Sequence, residues 1–169
     1  MKSSYVKAQS PISFLLLLLL LLTVLPILAA CGAEPAVGEI DDSAPIALLS
    51  YETFDEGLDG VVYRRVNRFS SLMAQSEIPL LVVFYSPLSD INIQIIPRLE
   101  QMAFEYSDRL SIVWVDASAS TSLAEAFKVE NLPQFTVVVD SSVKRSMVGY
   151  DEEGAVLLAK LLDPYLSEP

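Results

Sequence analysis

The chain has 169 residues, with 22 acidic side chains against 11 basic ones, no histidine and a single cysteine. The missing histidine excludes Ser-His and Cys-His catalysis and any imidazole-ligated metal, and one cysteine excludes an intrachain disulfide, a Cys-x-x-Cys pair and a cysteine zinc cage. A net charge of −11 argues against nucleic acid, where lysines and arginines must neutralise phosphates.

Residues 1–30 have the anatomy of an export signal. Lys2 and Lys7 precede an apolar stretch from Ile12 to Leu25 that includes eight consecutive leucines, Leu15 to Leu22, and Pro26 interrupts it before Leu28-Ala29-Ala30-Cys31. A positive start, an apolar core of about 7–15 residues and small residues before a cut site suit a signal better than the about 20 apolar residues of a membrane span. Leu-Ala-Ala-Cys resembles the lipobox of bacterial lipoproteins. The resemblance implies cleavage before Cys31 and a diacylglyceryl group on its thiol, which would anchor the chain to the membrane on its extracytoplasmic side. Two other readings stay open: an uncleaved membrane helix, and a plain secretory signal that leaves Cys31 free.

Residues 31–60 read as an acidic tether with a possible short strand at Ala47-Leu48-Leu49. Cleavage would leave nine bases against 22 acids, a net −13, and eight of those acids precede the first base, Arg64. Gly, Pro and acids with few large apolar residues suit a solvated spacer.

Residues 61–169 read as one α/β domain. Val62, Val66, Phe69 and Met73 recur at helical spacing until Ile78-Pro79. Arg64, Arg65 and Arg68, the one basic cluster, then read as an exposed face of that helix. Leu80–Tyr85 is a buried strand, and Asn92–Tyr106 a helix with Ile95, Leu99, Met102 and Tyr106 on one face. Leu110–Val115 is a second buried strand, on which Trp114 reads as core, and Leu123–Phe127 a short helix. Phe135–Val139 and Val143–Val148 form a hairpin across Asp140-Ser141-Ser142. Asp151 caps a last helix that carries Val156, Leu157, Ala159 and Leu161, with Lys160 among them, to Tyr165. The order predicts a mixed central sheet of about four to five strands flanked by helices.

That order, together with five short stretches in register, resembles the thioredoxin-like superfamily over residues 61–168. The stretches are Val82-Val83-Phe84-Tyr85-Ser86, Pro97 five residues after Asn92, Trp114-Val115-Asp116, Asn131-Leu132-Pro133-Gln134 and Val148-Gly149. The resemblance places the family's Cys-x-x-Cys at Ser89-Asp90-Ile91-Asn92, with both cysteines replaced, and its buried acid at Val83. Disulfide exchange needs an attacking thiolate and a resolving thiol, and a serine hydroxyl forms no mixed disulfide. Ser89 and Asp90 are instead good N-caps. A hydroxyl that stabilises a bound thiolate, as in glutathione-transferase-like relatives, is disfavoured by the carboxylate of Asp90 next door.

The resemblance also implies a cis-proline loop at Pro133 whose backbone pairs with an extended peptide, and pairing of that kind needs no cysteine. Tyr85, Pro87, Leu88 and Leu132 would complete the site; the competing reading is a tight turn with no ligand. The expected function is a membrane-anchored, non-redox binding or scaffold module for an exported or envelope protein, without cofactor or metal. The alternatives are a thiol-disulfide or glutathione-type component that relies on partner cysteines, and a domain without a ligand.

Overall fold

A computed structural model describes residues 46–54 and 59–166. The expected signal, Cys31 and most of the tether lie outside the described residues. In chain order the elements are β1 (Ile46–Thr53), β2 (Asp59–Val66), α1 (Phe69–Gln75), β3 (Leu80–Tyr85), α2 (Asn92–Glu105), β4 (Ser111–Asp116), α3 (Thr121–Ala126), β5 (Gln134–Val139), β6 (Ser142–Val148) and α4 (Gly154–Leu166).

Among the described residues the strands form one six-stranded mixed sheet, ordered β2-β1-β4-β3-β5-β6. β3 and β4 are parallel, with Val83 opposite Trp114, and every other neighbouring pair is antiparallel. β3 and β4 lie inside the sheet and read as continuous apolar runs because both of their faces are covered. On one face Leu81, Val83, Ile112, Trp114 and Phe135 pack against Ile95, Leu99 and Met102 of α2 and Leu158, Leu161 and Leu162 of α4. On the other, Leu80, Val82, Phe84, Val113 and Val115 pack against Phe69 and Met73 of α1, Leu123 of α3 and Phe127.

The structure corrects the sequence reading at its N-terminal end. Residues 46–53 are strand rather than tether: β1 fills these eight positions, pairs with β4 through Ile46 to Leu49, and buries Ile46 and Leu49. Residues 61–66 are strand rather than helix, so the helix is reduced to Phe69–Gln75 and the sheet gains strands beyond the expected four to five. The hairpin loop is two residues, not three, since Val139 pairs with Ser142. Asp140 and Ser141 both have positive φ, 52° and 60°, as a two-residue type I′ turn requires. In α4 the buried positions are Leu158, Leu161 and Leu162, while Val156 and Leu157 are exposed. Asp151 does bond ahead of that helix, its Oδ1 accepting from the Glu153 N–H at 3.0 Å.

Candidate functional site

β3 delivers the chain to a turn at one end of the sheet. The backbone N–H of Ser89 donates to Ser86 O at 3.1 Å, and that of Asn92 donates to Ser89 O at 3.2 Å. The Asn92 side-chain amide reaches back to Ser86 O at 2.8 Å, so the residue at the second expected cysteine position ties the turn to the end of β3. Its Oδ1 is buried without a hydrogen-bond partner.

The expected capping by Ser89 and Asp90 is not found. Helix α2 begins at Asn92, its cap position is Ile91 in helical conformation, and no side chain bonds the cap. A tight backbone turn already engages the first N–H groups: Ile93 donates to Asp90 O and Ile95 to Ile91 O. Beneath the turn Val83 is fully buried, flanked in register by Trp114 and Phe135. The sheet therefore places an apolar residue where the resemblance expects an acid.

Phe84 pairs with Gln134, which brings the start of β5, and with it Leu132 and Pro133, to the end of the sheet where Tyr85 leads into the turn. The Leu132–Pro133 peptide is cis. Pro133 is buried and its carbonyl accepts from the Gly149 N–H at 2.8 Å, while Gly149 takes φ +85°, where a side chain would be strained. Pro87, Leu88 and Leu132 are exposed, Leu88 at 92%. Apolar side chains left open in this way offer contact area to a partner. Tyr85 is half-buried and stacks on Trp114, centroids 4.0 Å apart and planes 20° from parallel.

The arginine cluster is divided by the pleat of β2, because successive side chains of a strand point to opposite faces. Arg64 forms a two-pronged ion pair with Glu52 of β1, at 2.6 and 2.7 Å. The bond from Arg64 holds the Glu52 carboxyl below its ordinary range. Arg65 lies on the opposite face, where it lines a cavity of ≈ 210 Å³ with Ile46, Ala47, Tyr63, Tyr85 and Trp114. Sequence reasoning missed this cavity, since it treated residues 61–66 as a helix; Val61-Val62-Tyr63, β-branched and aromatic after Gly60, was the available strand signal. Tyr63 donates its hydroxyl to Glu100 at 2.9 Å, and burial together with that bond keeps the phenol protonated. Among the described residues no group of three His, Cys, Asp or Glu side chains is placed to hold a metal ion, and no helix is long and apolar enough to cross a membrane.

Comparison with known proteins agrees with this architecture. The family model for thioredoxin matches residues 60–162. The chain is 36% identical over 95 residues to the chloroplastic thioredoxin X of Arabidopsis thaliana, a match that covers 56% of this chain and 50% of that protein. The chain thus spans half the length of that relative. It is 26% identical over 98 residues to thioredoxin 1 of Synechococcus elongatus, 58% of this chain and 90% of that one. The solution structure of oxidised thioredoxin from Plasmodium falciparum superposes with a TM-score of 0.51 at 22% identity, covering 59% of this chain and 90% of that one; at that identity the likeness concerns the fold.

Proposed function

The chain belongs to the thioredoxin family, and from that premise we propose that it is a non-redox member: a module lipid-anchored through Cys31 outside the cytoplasmic membrane, which binds an exported or envelope polypeptide at the Tyr85–Asn92 turn and the Leu132–Pro133 loop. One observation carries the non-redox reading. Both ends of the turn that follows β3 bear residues without a thiol, Ser89 and Asn92, and Asn92 is engaged in holding the turn closed. Exchange chemistry needs a thiolate there. Contact with a polypeptide needs only exposed apolar side chains beside backbone groups, and Leu88 and Leu132 supply the side chains. The anchor rests on the signal-like first thirty residues and on the place of the single cysteine directly after them.

Insulin reduction by the full chain tests the first part: no turnover above buffer is expected, and measurable turnover would replace this reading with a thiol-handling one. A photo-crosslinking residue at position 88 or 132 should capture a polypeptide in the native envelope, and capture should fall when Leu132→Asp is introduced beside the probe at 88. A radiolabelled lipid precursor should enter the chain, and a label that persists in Cys31→Ala would disprove the anchor.

A further inference from the structure

We infer that the cavity beside Trp114 is a binding site for a small ligand that joins a flat apolar ring to a single carboxylate. It goes beyond the polypeptide site proposed above, although Tyr85 borders both. The sheet register builds it: Arg65 of β2, Ala47 of β1 and Trp114 of β4 are direct neighbours in one row across three strands. Strands lie about 4.8 Å apart, so the methyl group of Ala47 leaves a depression between a guanidinium and an indole. The stacked pair of Tyr85 and Trp114 walls one side, and Tyr63, exposed at 43% with its hydroxyl committed to Glu100, stands on the other. Aromatic walls of this kind favour a planar apolar guest.

The charge on the rim defines the rest of the ligand. Arg64 is neutralised by Glu52, whereas Arg65 is exposed and belongs to none of the ion pairs found among the described residues. A guanidinium presents a fork that matches a carboxylate in two parallel bonds. One cation balances one negative charge; on a chain of net charge −11 the second charge of a phosphate would go uncompensated. At ≈ 210 Å³ the cavity is smaller than the roughly 300–1,000 Å³ of sites for drug-sized ligands, and suits one ring with its acid group. Two sources share that chemistry: a free aromatic acid, and the carboxy-terminal aromatic residue of a polypeptide.

Trp114 is the only tryptophan of the chain and lines this cavity, so its fluorescence responds to occupancy there without overlap from a second indole. The full chain is titrated with N-acetyl-L-phenylalanine, its amide, phenylacetate and acetate. N-acetyl-L-phenylalanine should change the emission with a dissociation constant on the order of 1 mM. Its amide should bind about tenfold more weakly, and acetate should have no effect. Arg65→Gln, at an exposed position, should erase the preference for acid over amide. Ala47→Leu should abolish both responses by filling the depression, with circular dichroism reporting its fold. Equal binding of phenylacetate and N-acetyl-L-phenylalanine supports the site and identifies a free acid as its ligand; binding of the latter alone supports it and identifies a polypeptide terminus. A flat titration to about ten times the expected constant, or an acid preference that survives Arg65→Gln, overturns the proposal. Neither result bears on insulin reduction or on capture at Leu88.

Discussion

Asn92 shows how a single side chain can fasten a turn to the strand before it. Its amide donates to Ser86 O and closes a turn whose ends are already joined by the Asn92 N–H to Ser89 O bond. Residues that bracket such a turn have Cα atoms within about 7 Å, inside the range a disulfide can bridge. Ser89→Cys with Asn92→Cys, in a Cys31→Ala background, should therefore oxidise to an intrachain disulfide, read as a loss of two free thiols, while either single replacement should not. The turn was legible from sequence because it lies between a strand that ends at Tyr85 and a helix that starts at Asn92. The bonding was not, since nothing in Ser-Asp-Ile-Asn says which oxygen the asparagine will reach. Glu52 carries a second prediction at this scale. Its carboxyl is held below the ordinary glutamate value of 4.5 by Arg64, so the folded state binds its proton less readily than the unfolded one. The pair then contributes above that value and fades as pH falls through the lowered one. Glu52→Gln should lower the melting temperature slightly at neutral pH, and the gap from the parent should close in acid below pH 4.5.

At the scale of elements, α3 ends in a well-formed reversal with an unfavourable residue in it. Lys128 sits at φ 54°, with its N–H donating to Glu125 O and the Val129 N–H donating to Ala124 O, both at 2.9 Å. Glycine takes that left-handed position without a Cβ clash, so Lys128→Gly should stabilise the protein by roughly 1 kcal/mol in denaturant unfolding. β1 makes the opposite point. Leu49 is 5% exposed inside the core cluster, and Leu49→Ala should cost about 3 kcal/mol; a tether residue would cost nothing. The central strands, α2 and the β5–β6 hairpin were legible because each has its own unmixed period. β2 was not, and the reason is arithmetic in the pattern. Val62 and Val66 are four apart in a strand, Phe69 and Met73 four apart in a helix, and a spacing of four returns to the same face in both. Three arginines between those positions then looked like one helical face, whereas the pleat sends Arg64 and Arg65 to opposite sides.

For the whole molecule, the family match and the folding unit have different limits. The match starts at residue 60, yet β1, entirely before it, lies between β2 and β4 in the sheet. A chain that starts at residue 46 should fold cooperatively, with one melting transition. A chain that starts at residue 59 should lose the transition or aggregate, although it keeps the whole matched segment. The place of β1 also decides which backbone faces water. Without the hairpin, β4 would have an open edge, and Ile112, Val113, Trp114 and Val115 are all buried there; unpaired apolar strands of that kind invite another chain to add itself to the sheet. The hairpin moves the border outward to β2, where Arg64 and Arg65 stand, and the far border is β6, with Lys144 and Arg145. Both rims of the sheet therefore carry long charged side chains, a feature that hinders edge-to-edge pairing with a second copy. The strand ahead of the matched segment thus gives the sheet a charged border in place of an apolar one.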